Sequence, residues 1–237
     1  HQQFYGPKNM AIAIVGAVEP KHGVEKVAEF FEDWGNPLQP EPTELPAIKL
    51  LDKSIKKVIT IPGKSQADIK LGVPGPSRCA PEYLVAAVGN HILGQFGMYG
   101  RIGEKVREKA GLAYYAYSSL SGGLGPGPWS ISAGVDPENV ERVIQMILEE
   151  IDKFTSEHVT EDELSDSQAN LMGRLPLSLE SNAGVASAII NLERYNLGLD
   201  YYLRYQDLIQ AITVNDILTT AQKFLNPQKI GIAVAGP

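Results

Sequence analysis

Cysteine is almost absent from this chain. Cys79 is the only one, so no intrachain disulfide can form and the cysteine says nothing of the redox compartment. Long apolar runs are missing too. The longest, such as residues 11–15, are strand-sized and far short of the roughly 20 residues that span a bilayer. No stretch concentrates Lys and Arg, and 28 acidic against 21 basic residues give a formal charge of −7. That balance argues against nucleic acid and anionic membrane as partners. Histidine is scarce: His1, His22, His91 and His158 share no i,i+3 or i,i+4 spacing. None belongs to an H-x-x-E-H or H-E-x-x-H pair, so a zinc ligand set is lacking. His158 lies near Glu161 and Glu163, but Thr160-Glu-Asp-Glu163 reads as a capping box whose acids suit the positive end of a helix. Ser119 and Ser121 stand in no G-x-S-x-G elbow, and the Gly-rich stretches lack the Lys-Ser/Thr of a phosphate loop.

What is present describes an ordinary globular chain, with 43% hydrophobic and 21% charged residues over 237 positions. That length is near the upper limit for one core. Residues 10–15, Met-Ala-Ile-Ala-Ile-Val, read as a first strand closed by Gly16. Val24, Val27, Ala28, Phe31 and Trp34 recur at helical spacing. Four prolines between 37 and 46 mark a stiff connector. Residues 56–61 and 67–73 read as strands around the turn Pro62-Gly63, and Pro81 opens a helix through Val88. Residues 101–110 form a short helix with Met98, Ile102 and Val106 inward and Gly111 as its C-terminal cap. Strands at 114–118 and 129–135 flank a glycine-rich hairpin connection. Asp136-Pro137 caps the clearest helix, whose Val140, Val143, Ile144, Ile147, Leu148, Ile151 and Phe154 share one face. From Thr160 the pattern is helical almost to a closing strand at 230–235.

Two internal echoes organise these elements. Gln2-x-Phe4-Tyr5-x-Pro7 leads to a strand ending at Gly16, and Gln222-x-Phe224-Leu225-x-Pro227 leads to a strand ending at Gly236. The second echo sets Val18-Glu-Pro20 and Val24-Glu-Lys-Val27 beside Val135-Asp-Pro137 and Val140-Glu-Arg-Val143. Two strand-then-helix units of one design predict an α+β fold with a mainly antiparallel sheet and helices packed on one face. A closing signature that also stands at the start, together with the His-Gln-Gln opening, predicts a fragment of a longer chain. On that expectation a similar domain ends just before His1.

One stretch invites a chemical reading. Arg107 sits near the end of the short helix, Gly111 reverses the chain, and Tyr114 opens the next strand. A guanidinium fork and a phenol at one corner suit the carbonyls of an extended peptide, or the oxyanion of its tetrahedral intermediate. On residue types alone, a surface pair of Arg107 with Glu104 or Glu108 and a Tyr packed in the sheet are the favoured reading.

The run Gly100-Arg-Ile-Gly-Glu-Lys-Val-Arg-Glu-Lys-Ala-Gly-Leu-Ala-Tyr114 resembles the S-R-L-x-x-x-(L/V)-R-(E/D)-(K/E)-x-G-L-A-Y pattern of the inverted-zincin peptidases, the pitrilysin, insulysin and mitochondrial processing peptidase family. Phe4-Tyr5-Gly6-Pro7-x-Asn9-Met10, Pro62-Gly-Lys-x-Gln66, Val135-Asp-Pro-Glu-Asn139 and the closing Gly236-Pro237 extend the match over essentially the whole chain. Gly100 departs from the family's usual Ser. The resemblance implies a single C-terminal, non-zinc-binding domain over 1–237 of a zinc metalloendopeptidase, inactive alone. Arg107 and Tyr114 are then substrate-binding residues that orient a peptide opposite zinc. The metal, with a water activated by its motif's Glu, belongs to an N-terminal domain, and a second half or subunit completes the chamber. The alternative within the family is a non-catalytic partner subunit or structural core protein. The compartment is left undetermined.

Overall fold

The structure is a computed structural model that describes residues 1–95 and 99–237. Its contacts gather into two compact units, one formed by His1–Ala47 with Gly173–Tyr201 and the other by Ile48–Met172 with Tyr202–Pro237.

The larger unit is built on a five-stranded mixed sheet: β1 (Ile55–Thr60), β2 (Ala67–Pro74), β3 (Ala113–Leu120), β4 (Pro128–Val135) and β5 (Gly231–Gly236), in the spatial order β1-β5-β2-β4-β3. The strands at 55–60 and 67–74 do not pair with each other. β5 arrives from the far end of the chain and lies between them, parallel to β1 and antiparallel to β2. β2, β4 and β3 continue antiparallel. On β2 the apolar Ala67, Ile69, Leu71 and Val73 are buried while Asp68 and Lys70 face the other side, the period-two signature of a sheet covered on one face.

The covering layer is helical. α2 (Tyr83–Asn90) continues as a wider π-helical turn, His91–Gln95. α3 (Val140–Ser156) starts after Asp136, whose side chain accepts from the Glu138 N–H at 3.0 Å. Its predicted apolar stripe is buried from Val140 to Phe154, with Leu148 partly so. In chain order follow α4 (Glu161–Ser178), α5 (Asn182–Arg194), α6 (Tyr201–Gln210) and α7 (Val214–Phe224), of which α5 and the end of α4 fall in the smaller unit. Trp129, Ile131, Ile147, Ile151, Phe154 and Ile217, each at most 2% exposed, are the bulk of the core. At roughly 1.5–3 kcal/mol for each large apolar side chain removed from water, this cluster stabilises the unit more than any surface pair can.

In the smaller unit, α1 (Pro20–Phe31) begins with Pro at its first turn and buries only Gly23. The helical spacing predicted as far as Trp34 therefore ends three residues early. Residues 10–15, expected as a strand, belong to no ladder. Their alternation is that of a strand, but a strand also needs a neighbour for its N–H and C=O groups, and none among the described residues pairs with them. Ile12 and Ile14 instead line, with Val18, Val24 and Val27, an open hollow of about 380 Å³.

Candidate functional site at a helix-to-strand corner

The corner is built from a short π-helix, Gly103–Lys109, and the strand β3 that follows it. Ile102 and Val106 are fully buried and fix which face of the helix turns inward. Met98, expected on that face, lies outside the described residues. Close backbone contact explains the glycines before the helix. A Cβ on Gly94 would meet the Ser118 nitrogen of β3 at 2.7 Å, and one on Gly100 would meet the Cα of Gly94 at 2.6 Å. Gly100, the departure from the family's Ser, is thus dictated here by contact between segments.

Arg101, just before the π-helix, is occupied. Its Nε and Nη2 donate to the two carboxylate oxygens of Glu163 at 2.6 and 2.7 Å, a bidentate fork. Glu163 also accepts the Thr160 N–H at 2.8 Å while Thr160 Oγ1 accepts the Glu163 N–H at 3.1 Å, so the predicted capping box forms. Burial pushes the Glu163 carboxyl up, but the bonds from Arg101 and Thr160 outweigh it and hold the group below its ordinary value. The bond to Glu163 raises Arg101 still further, against its burial. The capping-box acid was legible in the sequence; its second bond to a residue 62 positions away was not.

Arg107 and Tyr114 lie otherwise. Arg107 is exposed near the end of the helix, its Nε 3.7 Å from Glu108 Oε1 with both side chains 46% exposed. Glu104, the other acid considered for it, faces Lys109 at 2.9 Å instead. The backbone beneath is pinned: the Arg107 C=O accepts from Gly111 N–H at 3.2 Å and the Val106 C=O from Leu112 N–H at 3.1 Å. With Gly111 at φ +64°, this is the left-handed helix stop that glycine favours. Three residues on, the β3–β4 register steps from Ala113↔Val135 to Tyr115↔Gly134. Tyr114 is the extra residue of a β-bulge and is 77% exposed. The domain's packing uses neither ring nor guanidinium.

Tyr115 and Tyr117 share a face, as alternation requires, with ring centroids 5.8 Å apart. That face is the one the helices leave open. The Tyr115 ring lies over Gly134, where a Cβ would come within 2.4 Å of Cε1. Its hydroxyl donates to Asp68 Oδ1 at 2.8 Å. Burial, helped by that bond, pushes the phenol up to about 12. Hydrogen bonds from Lys64 and Tyr115 hold Asp68 below its ordinary value. The same face carries an apolar hollow of about 610 Å³ lined by Leu51, Ile55, Gly72, Pro128, Gly231 and Ala233, among others. Sequence reasoning missed it, because its walls come from strands that meet only in the folded sheet.

The residues do not fit zinc. His91 is 1% exposed, with Ser167 Oγ 2.9 Å from Nδ1 and Asn170 Oδ1 3.1 Å from Nε2. Glu163 is committed to Arg101 and Thr160. Among the described residues no three His, Cys, Asp or Glu side chains are grouped to hold a metal.

Residues 1–171 match the family model described as the peptidase M16 inactive domain, and the chain belongs to that family. An uncharacterized zinc protease of Streptomyces coelicolor is 29% identical across all of this chain and 52% of its own length. The uncharacterized zinc protease YmxG of Bacillus subtilis is 28% identical over 75% of the chain and 42% of its own. A crystal structure of a peptidase M16 inactive domain from Pseudomonas fluorescens superposes with a TM-score of 0.83 at 27% identity, covering 94% of this chain and 52% of that one. The chain spans about half the length of the curated relatives it matches.

Proposed function

We propose that this domain binds and orients an extended peptide for a zinc metalloendopeptidase, with Arg107 and Tyr114 as the contacting pair and the zinc held by another domain. The observation that carries the reading is that both side chains stand in solvent on a backbone corner fixed by a helix stop and a bulge, with no part in the core. A rigid corner is where a recognition pair belongs, because little ordering entropy remains to be lost on binding. The guanidinium offers a planar fork of donors to peptide carbonyls and the phenol one more. The role derived for this chain is binding and positioning, and no step through the metal is assigned to it.

The test uses the complete assembly and a fluorogenic peptide. Arg107→Ala is expected to lower kcat/KM on the order of 10²-fold with unchanged melting, and Arg107→Lys to be impaired as well. Tyr114→Phe, which removes only a hydroxyl, is expected to lower turnover, whereas Tyr117→Phe is not. Wild-type kinetics in the Arg107→Ala protein would reduce Arg107 to the partner of Glu108. An assembly that binds the peptide yet never cleaves it, with or without the substitutions, would favour the non-catalytic subunit.

A further inference from the structure

Ala235, Asp68, Gly134 and Tyr115 stand in one row across four strands, β5, β2, β4 and β3. Gly134 carries no side chain, so the Tyr115 ring crosses β4 at the place a Cβ would fill. Its hydroxyl thereby reaches past a whole strand and donates to Asp68 Oδ1 at 2.8 Å. The other carboxylate oxygen accepts from Lys64 Nζ. The same ammonium donates to the Ala235 C=O at 2.9 Å. Lys64, Asp68 and Tyr115 thus form one strap over the open face, fastened to β5 at one end and to β3 at the other. β3 is an edge, with β4 as its only neighbour in the sheet among the described residues. The strap is its second tie.

That tie is made at the residue directly after the bulge. The register steps from Ala113↔Val135 to Tyr115↔Gly134, and Tyr114 is the residue left over. A ladder running on unbroken from Ala113 would set Tyr114 opposite Gly134 and carry Tyr115 round to the helix-covered side. The Tyr115–Asp68 bond therefore exists only in the slipped register. On the other side of Tyr114, the helix stop pins residues 111 and 112. We infer that Tyr115 and Asp68 are positioning residues, whose bond holds the bulge and so aims the Tyr114 side chain out from the sheet edge. Bulges re-aim side chains in this way beside functional sites. Core packing is the competing cause, since Ala116 and Ser118 are buried on the opposite face of the same strand. The effect on peptide turnover rests on the role proposed for Tyr114; the aim of its side chain does not.

A single 3-fluorotyrosine placed at position 114 of the complete assembly reads that aim by fluorine NMR. Tyr115→Phe keeps the ring and loses the hydroxyl, and Asp68→Ala acts from two strands away. Each is expected to split the resonance or shift it by more than its own width. Tyr117→Phe takes a hydroxyl from the same face but no bond to Asp68, and should leave the resonance in place. With unlabelled protein and a fluorogenic peptide, Tyr115→Phe and Asp68→Ala should each lower kcat/KM on the order of 10-fold with unchanged melting. In a Tyr114→Phe background neither should lower it further, because both act through that hydroxyl. A resonance that neither substitution moves overturns the inference and leaves the register to Ala116 and Ser118. A resonance that moves while kcat/KM stays at the wild-type value upholds the strap, and it is then the substrate role of Tyr114 that fails.

Discussion

At the scale of single residues, the most consequential polar contact is the Arg101–Glu163 fork. Glu163 serves two elements at once, as the third residue of the α4 cap and as the partner of a guanidinium that is 17% exposed. The pair lies between an exposed bridge, near 0–1 kcal/mol, and a buried one, whose breaking costs about 3–5 kcal/mol. Glu163→Ala, which also loses the cap, is expected to destabilise by roughly 2–4 kcal/mol in urea titrations. The sign with pH follows from the depressed carboxyl. Its contribution is full above the ordinary value of 4.5 and is lost as pH falls through the lower folded value. Glu163→Gln should therefore flatten the acid limb of the stability curve below about pH 4.5 and leave the slope near neutrality alone. An unaltered acid limb would show that other carboxylates carry it.

The corner that presents Arg107 and Tyr114 belongs to the scale of elements, since it exists only where the helix stops and the ladder slips. A Cβ on Gly111 would meet nothing within 4 Å, so Gly111→Ala isolates the conformational term. About 1 kcal/mol of lost stability is expected from placing an L side chain at φ +64°. Peptide binding should suffer more than that figure implies, because the pair would be re-aimed. A variant with unchanged melting and unchanged binding would show that the corner is softer than its hydrogen bonds suggest. Gly111 as the stop was legible in the sequence, as were the Asp136 cap, the α3 stripe and the β3–β4 hairpin, because each is signalled within a few residues. The bulge at Tyr114 was not. The strand pattern runs through it unbroken, and only the partner strand reveals the slipped register. Nor was the outcome at residues 10–15, which have every local mark of a strand and lack only a neighbour.

For the whole molecule, the decisive fact is that the last strand in sequence is an inner strand of the sheet. β1 has β5 as its only partner among the described residues, and β5 also delivers Ile232 and Val234 to the core. Deleting residues 231–237 should therefore strip β1 from the sheet, turn β2 into an edge and abolish the cooperative thermal transition followed by circular dichroism. A truncated chain that still melts sharply would mean that β2, β4, β3 and the helices suffice. The hydrogen bond from Ile230 N–H to Ser54 Oγ at the start of this pairing joins residues 176 positions apart, a separation that slows closure of the sheet. During synthesis, then, β1 and β2 leave the ribosome more than 150 residues ahead of β5 and wait for it with facing edges that must not zip together. At about 5–20 residues per second that interval lasts on the order of ten seconds or more. For that time the nascent polypeptide offers two sticky, unmatched strands to whatever is nearby, which makes it a natural client for a chaperone until β5 appears.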